Sequence, residues 1–252
     1  MEVHHHPDLH HNKKHWKEYF LEFLMIFLAV TLGFFAENMR ENIADNQRGR
    51  QFIKSLAQDL RADTATLNGF IAGWSGQMVY EDSFVNLIRH NLGHLDPHEF
   101  YRQINFNMGY NPFQYHSRTI DQLKSSGSFR LIAKQSLSDS IMEYDNLVRN
   151  ALLDVEKKLS DALDKQTTFQ HQLIDYTAFP SADSLGYAAE NHFKNLPDRL
   201  LVNVNDEVKL NEFLGILWDK RQLISAEIFL AKIVRENAIS LLKQIEKEYP
   251  GG

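Results

Sequence analysis

The chain has 252 residues, of which 43% are apolar and 24% charged, so it can build a core and is not disordered in bulk. Its net charge of −6, with no basic stripe to override it, excludes nucleic acid as an expected partner. The absence of cysteine removes disulfides, zinc thiolates, iron–sulfur ligation and thiol nucleophiles together, and the scarcity of glycine and proline suits long helices.

Residues 1–15 carry His4, His5, His6, His10, His11 and His15. Imidazoles in such a tract can hold Zn²⁺, Ni²⁺ or Cu²⁺. The tract has no implied order, so the expectation is a flexible tail that gains charge as pH falls, with no specific metal and no cofactor.

From Phe23 to Ala36 the sequence carries no charge. Extending the helix back to Trp16 gives a length of about 30 Å at 1.5 Å per residue. The run from Phe23 to Phe35 is apolar all round, with no polar face to turn to water. Trp16 and Tyr19 stand beside Lys13, Lys14 and Lys17, the aromatic and cationic flank of a membrane interface. The predicted anchor is therefore 16–37, with Trp16, Tyr19, Phe23, Leu24, Ile26, Phe27, Leu28, Val30, Leu32, Phe34 and Phe35 facing lipid. Glu22 lies near the interface, where it can reach head groups. A cleaved signal peptide is not favoured, because Phe34-Phe35-Ala36 is bulky where small residues are needed. The lysines before the span place the N-terminus in the cytoplasm and the body outside, in the periplasm.

Beyond the anchor, residues 38–249 read as an all-α domain, an elongated antiparallel helical bundle. Ile53, Leu60, Leu67 and Trp74 recur every seven residues. Such a stripe packs against the chain's own later helices or against copies of itself, so self-association is expected there. Gly73 and Gly76 weaken the helix, which predicts a kink or break near Trp74 and a further helix over about 77–91. Asp96-Pro97, with Glu99 following, is a helix start. That short helix ends near Asn107. Residues 119–125 predict one or two turns, with Gly127 as a left-handed cap. A long amphipathic helix is predicted from Ser136 to Tyr176, and another from a cap at Asn205 or Asp206 to Glu248. The irregular connections fall at about 93–118 and 178–205, with 200–204 a possible short strand that lacks a partner.

Two stretches carry a resemblance. KHWKEYFLEFLMIFLAVTLGFFAENMRE, followed by FIKSLAQDLRADT, and the segment TIDQLKSSGSFRLI are similar to a family of uncharacterised single-pass membrane proteins of Bacteroidetes-type bacteria. The resemblance implies a bacterial inner-membrane anchor and a helical body, and it supplies no catalytic residues.

The best site candidate is the turn Ser125-Ser126-Gly127-Ser128, with Arg118 and Arg130 adding charge. Hydroxyls and free backbone N–H groups there can meet an anion, although a helix corner with serine caps explains the same residues. It lacks the glycine–lysine spacing of a P-loop. His90, His94 and His98 are four apart, but Gly93 and Pro97 interrupt the helix that would align them. No nucleophile elbow and no paired Glu-x-x-His is present. The expectation is a membrane-anchored interaction or scaffold protein, not an enzyme. Its partners are the lipid bilayer and a second copy or another membrane protein. The alternative is a ligand-sensing bundle outside the cytoplasm.

Overall fold

A computed structural model describes residues 16–91, 96–106, 112–174 and 207–250. The expectations for the histidine tail, His94, the segment 200–204 and the cap at Asn205 or Asp206 lie outside the described residues. Among the described residues every regular element is helical and no strand occurs. The elements are α1 (Trp16–Asn91), α2 (Pro97–Phe106), α3 (Arg118–Ser125), a 3₁₀ turn (Ser128–Leu131), α4 (Gln135–Leu147), a π turn (Val148–Leu152), α5 (Leu153–Leu173) and α6 (Glu207–Glu248). Internal contacts divide the chain into two units, Met1–Gln51 and Phe52–Gly252.

In the first unit, one side chain between Trp16 and Ile43 is even half-buried, that of Leu24. The second unit is a helical body with two apolar clusters. The larger joins Ile53, Leu56, Leu60, Leu67 and Trp74 of α1 to residues of α3, α4, α5 and α6. The smaller joins Phe84 and Ile88 of α1 to α2, the end of α5 and the start of α6, through Phe100, Tyr101, Phe169, Leu173, Phe213 and Leu217. Its rings meet edge-on or stacked, with Phe84 and Phe213 at 6.2 Å and Phe169 and Phe213 at 5.9 Å.

The predicted break at Gly73 and Gly76 is absent: α1 runs through both as one helix. Each glycine costs a helix about 1 kcal/mol relative to alanine. Burial of Phe70, Ile71, Trp74, Phe84 and Ile88 on either side outweighs that cost. The helix predicted from Ser136 begins at Gln135 and ends at Leu173, where Ile174 turns to extended backbone. It is interrupted by the π turn. Buried Tyr144, Val148, Leu152 and Glu156 follow one another in steps of four. On an α-helix each such step drifts by about 40°, and the wider π turn absorbs the drift.

Side chains of α1 and α6 pair in a regular order. Arg61 lies 3.5 Å from Glu246, Arg235 donates to Asn68 at 3.3 Å, and Arg221 grips Asp82. Numbers rise along one helix as they fall along the other.

Candidate functional site

Three regions of the chain depart from ordinary packing. The first is the apolar run of α1. Trp16 is 80% exposed and Phe34 75%, and Tyr19, Phe23, Ile26, Phe27, Leu28, Val30, Leu32 and Phe35 are also exposed. The most apolar stretch of the helix has none of its residues buried in the protein. This run bares on the order of 1,000 Å² of apolar side chain, well beyond what a soluble monomer leaves open. One helix near the N-terminus is thus long and apolar enough to cross a membrane. The hydroxyl of Thr31 donates to the carbonyl of Phe27 at 2.8 Å, which satisfies it without water. Glu37 and Arg40 form an ion pair just after the run.

The second region is a polar network under the segment 112–119. Asp59 and Asp63 sit one helical turn apart on the inward face of α1. Asp59 accepts the Thr119 hydroxyl and, at 3.2 Å, the Thr119 backbone N–H. Asp63 accepts the backbone N–H and the ring Nδ1 of His116, both at 2.8 Å, and the Tyr144 hydroxyl at 2.8 Å. Asp145 of α4 accepts the Tyr115 hydroxyl at 2.6 Å, Arg149 at 2.8 Å, and Lys124. Glu156 accepts the backbone N–H of Phe113 at 2.8 Å. Four carboxylates thereby replace the water that this irregular segment would otherwise need.

The two most tightly held aspartates titrate in opposite directions. Burial pushes Asp63 above the usual carboxylate range, and bonds from His116 and Tyr144 do not offset it. Burial also pushes Asp145 up, but bonds from Lys124, Tyr115 and Arg149 win and hold it below its ordinary value. The difference is two full cations. Half-buried Tyr115 and buried Tyr144, packed against these carboxylates, are both held well above the usual phenol value by desolvation. His116 with Asp63 has the outline of a catalytic dyad, but the neighbouring Ser117 hydroxyl is spent on Asp121 at 2.6 Å. The network holds a connection in place.

The Ser125–Ser128 turn belongs to the edge of this network. Gly127 adopts a φ of 64°, as the sequence predicts. The hydroxyls bond within the corner. Ser125 and Ser126 both donate to the Gln122 carbonyl, and the Ser126 oxygen accepts the Ser128 hydroxyl at 2.6 Å. Arg118, at the opposite end of α3, lies 3.7 Å from Asp59, and Arg130 is exposed. Ser125, Ser126, Gly127 and Ser128 form a helix corner, which Arg118 does not join. A Gly127→Ala change meets no atom within 4 Å, so its cost is the left-handed backbone alone, about 1 kcal/mol. Gly73→Ala also meets none but sits inside a helix, so it stabilises by about 0.5–1 kcal/mol. Denaturant midpoints of the two variants should move in opposite directions.

The third region is a layer of charge inside the body, which the sequence reading missed. Glu81 of α1, Gln166 of α5 and Lys220 of α6 are all fully buried. The Lys220 ammonium lies 2.7 Å from Glu81 and donates to the Gln166 side-chain carbonyl at 2.6 Å. Burial raises Glu81 and lowers Lys220, and their mutual attraction opposes both shifts. A signal was available. The series Ile53, Leu60, Leu67, Trp74 continues at the same spacing to Glu81 and Ile88. On α6 the series Leu217, Lys220, Ile224, Glu227, Ala231 alternates steps of three and four, so both charged residues stand at core positions.

The predicted self-association stripe is buried. Ile53, Leu60, Leu67 and Trp74 are at most 5% exposed and lie in the chain's own core. Charges at Ile53 or Leu60 would therefore unfold the body before they could split an oligomer. No group of histidine and acidic residues suited to a metal ion occurs among the described residues. The chain matches no protein-family model, no curated protein and no solved structure.

Proposed function

We propose that this chain is a single-pass membrane-anchored helical module that binds a partner and catalyses nothing. The anchor is residues 16–37 and the body is an antiparallel helical bundle. The resemblance of its two motif stretches to single-pass proteins of Bacteroidetes-type bacteria supports a bacterial inner membrane. The lysines before the anchor support a cytoplasmic N-terminus and a periplasmic body.

The observation that carries the reading is the exposed apolar surface from Trp16 to Phe35. At about 25 cal/mol per Å², leaving it in water costs tens of kcal/mol, more than a body of this size gains by folding. Lipid removes that cost. The opposed numbering of the α1 and α6 contacts supports the antiparallel bundle. Because the Ile53 stripe is spent internally, association with a second copy or another membrane protein falls to other surfaces. A small-ligand sensor at the serine turn is disfavoured, since its hydroxyls bond within the turn.

Arginine at both Leu28 and Leu32 tests the anchor. Each arginine near the centre of a span costs about 3 kcal/mol of insertion, so the pair should leave most of the protein outside the bilayer. Full retention of the double variant in washed membranes would refute the anchor. A reporter fused after Gly252 tests the side: activity confined to the periplasm is expected, and activity confined to the cytoplasm would reverse the orientation.

A further inference from the structure

We propose that Glu227 and Glu156 form a proton-binding pair in the core, so that the folded body holds one proton there and α6 loosens from α5 as rising pH removes it.

Glu227 projects from α6 at a core position between Ile224 and Ala231, and its side chain is fully buried. Neither of its carboxyl oxygens has a hydrogen-bond partner. Glu156 stands on α5 just after the π turn, is 5% exposed, and accepts the backbone N–H of Phe113. It is the charge that acts on Glu227. The other buried charged groups of the packed elements have partners of their own. On α1, Asp59 and Asp63 hold Thr119 and His116, and Glu81 holds Lys220. On α4, Asp145 holds Lys124 and Arg149. On α6, Arg221 holds Asp82 and Arg235 holds Glu236. Lys220 is the one buried cation among the described residues and it is held by Glu81, so no buried cation is left to face Glu227. Two buried carboxylates on packed helices cannot both be charged without repelling one another in a dry medium. A proton on Glu227 resolves this, and burial followed by the Glu156 charge pushes its carboxyl up to about 8.

The step is a simple ionisation: the O–H bond of the Glu227 carboxyl breaks and its proton passes to solvent. The folded value lies above the ordinary 4.5, so the stabilising effect is complete at acid pH and is lost as pH rises toward 8. Across that window one such group lowers the folding constant by about tenfold per pH unit.

The test uses the full chain in detergent. Thermal unfolding is followed from pH 5 to 9, and the infrared band of a protonated carboxylic acid is followed over the same range. Glu227→Gln should remove one proton's worth of pH dependence and erase an acid band present at pH 7. A pH profile parallel to the wild type, or an unchanged acid band, overturns the proposal. If Glu227→Gln does not fold, Glu156→Gln decides. Its amide still accepts from Phe113 but removes the neighbouring charge, so the acid band should disappear at a lower pH than in the wild type. A band that disappears at the wild-type pH would overturn the proposal as firmly.

Discussion

Lys220→Met should lower the stability of the body by about 3–5 kcal/mol, the cost of leaving one partner of a buried ion pair alone. In a chain of this length such a loss lowers Tm by roughly 10 °C. Glu81 would remain fully buried, its oxygens having lost the ammonium at 2.7 Å, and Gln166 would lose its donor at 2.6 Å. Methionine nearly matches the lysine stem in volume, so little of the loss comes from packing. The double change Glu81→Leu with Lys220→Met should recover most of it, because no unpaired charge is then left in the core. The measurement is a double-mutant cycle from urea midpoints at neutral pH. Additive effects of the two single changes would mean that the pair is solvated.

The second large effect is at Asp145. Its carboxylate is 1% exposed and gathers Lys124, Arg149 and the Tyr115 hydroxyl. Asp145→Ala should cost about 3 kcal/mol. The two cations are 46% and 38% exposed, so solvent absorbs part of the loss, and the half-buried Tyr115 hydroxyl loses its acceptor. Arg149 should keep its contact with Asp121 at 2.6 Å, which anchors the π turn to α3 in the variant as well. The change also has a pH signature. Asp145 is held below its ordinary 3.8, so its contribution is present above that value and lost as pH falls through the lower folded value. Asp63 and Glu227 act the other way: both are raised, and their contributions fade as pH rises. Asp145→Ala should therefore flatten the acid limb of the stability profile and leave the alkaline limb unchanged. A flattened alkaline limb would show that the charge assignments are inverted.

The helical class of this protein is legible because its apolar residues keep one period for many turns. The stripe from Phe213 to Ile245 and the stripe from Ile53 to Trp74 need no tertiary information to be seen. The Gly127 cap is legible for a similar reason, since a local backbone need selects the residue. The continuity of α1 is not. Gly73 and Gly76 argue locally for a break, and the burial of Trp74 and Phe84 that overrules them is a long-range event. The charged layer lay within reach of the sequence. Reading Lys220 and Glu227 as members of the stripe, instead of gaps in it, places both in the core. The network under residues 112–119 is harder. The bonds from Asp59 and Asp63 to that segment join residues 53 to 60 positions apart, and no local pattern assigns the two aspartates to a loop so distant. The π turn leaves only its run of four-residue steps as a trace.

These features fit one physical picture. The body buries its apolar faces together with several charges, each with a partner except at Glu227, while the first twenty or so described residues bury almost nothing. A chain can keep such a helix only if something apolar surrounds it. The most direct measurement is the distribution of intact, full-length protein after high-speed centrifugation of a detergent-free lysate, followed by an alkaline wash of the pellet. The protein is expected in the pellet before and after the wash, and in the supernatant only once detergent is added. Unclipped protein in the first supernatant would mean that the surface from Trp16 to Phe35 is at home in water, and the anchor would have to be abandoned.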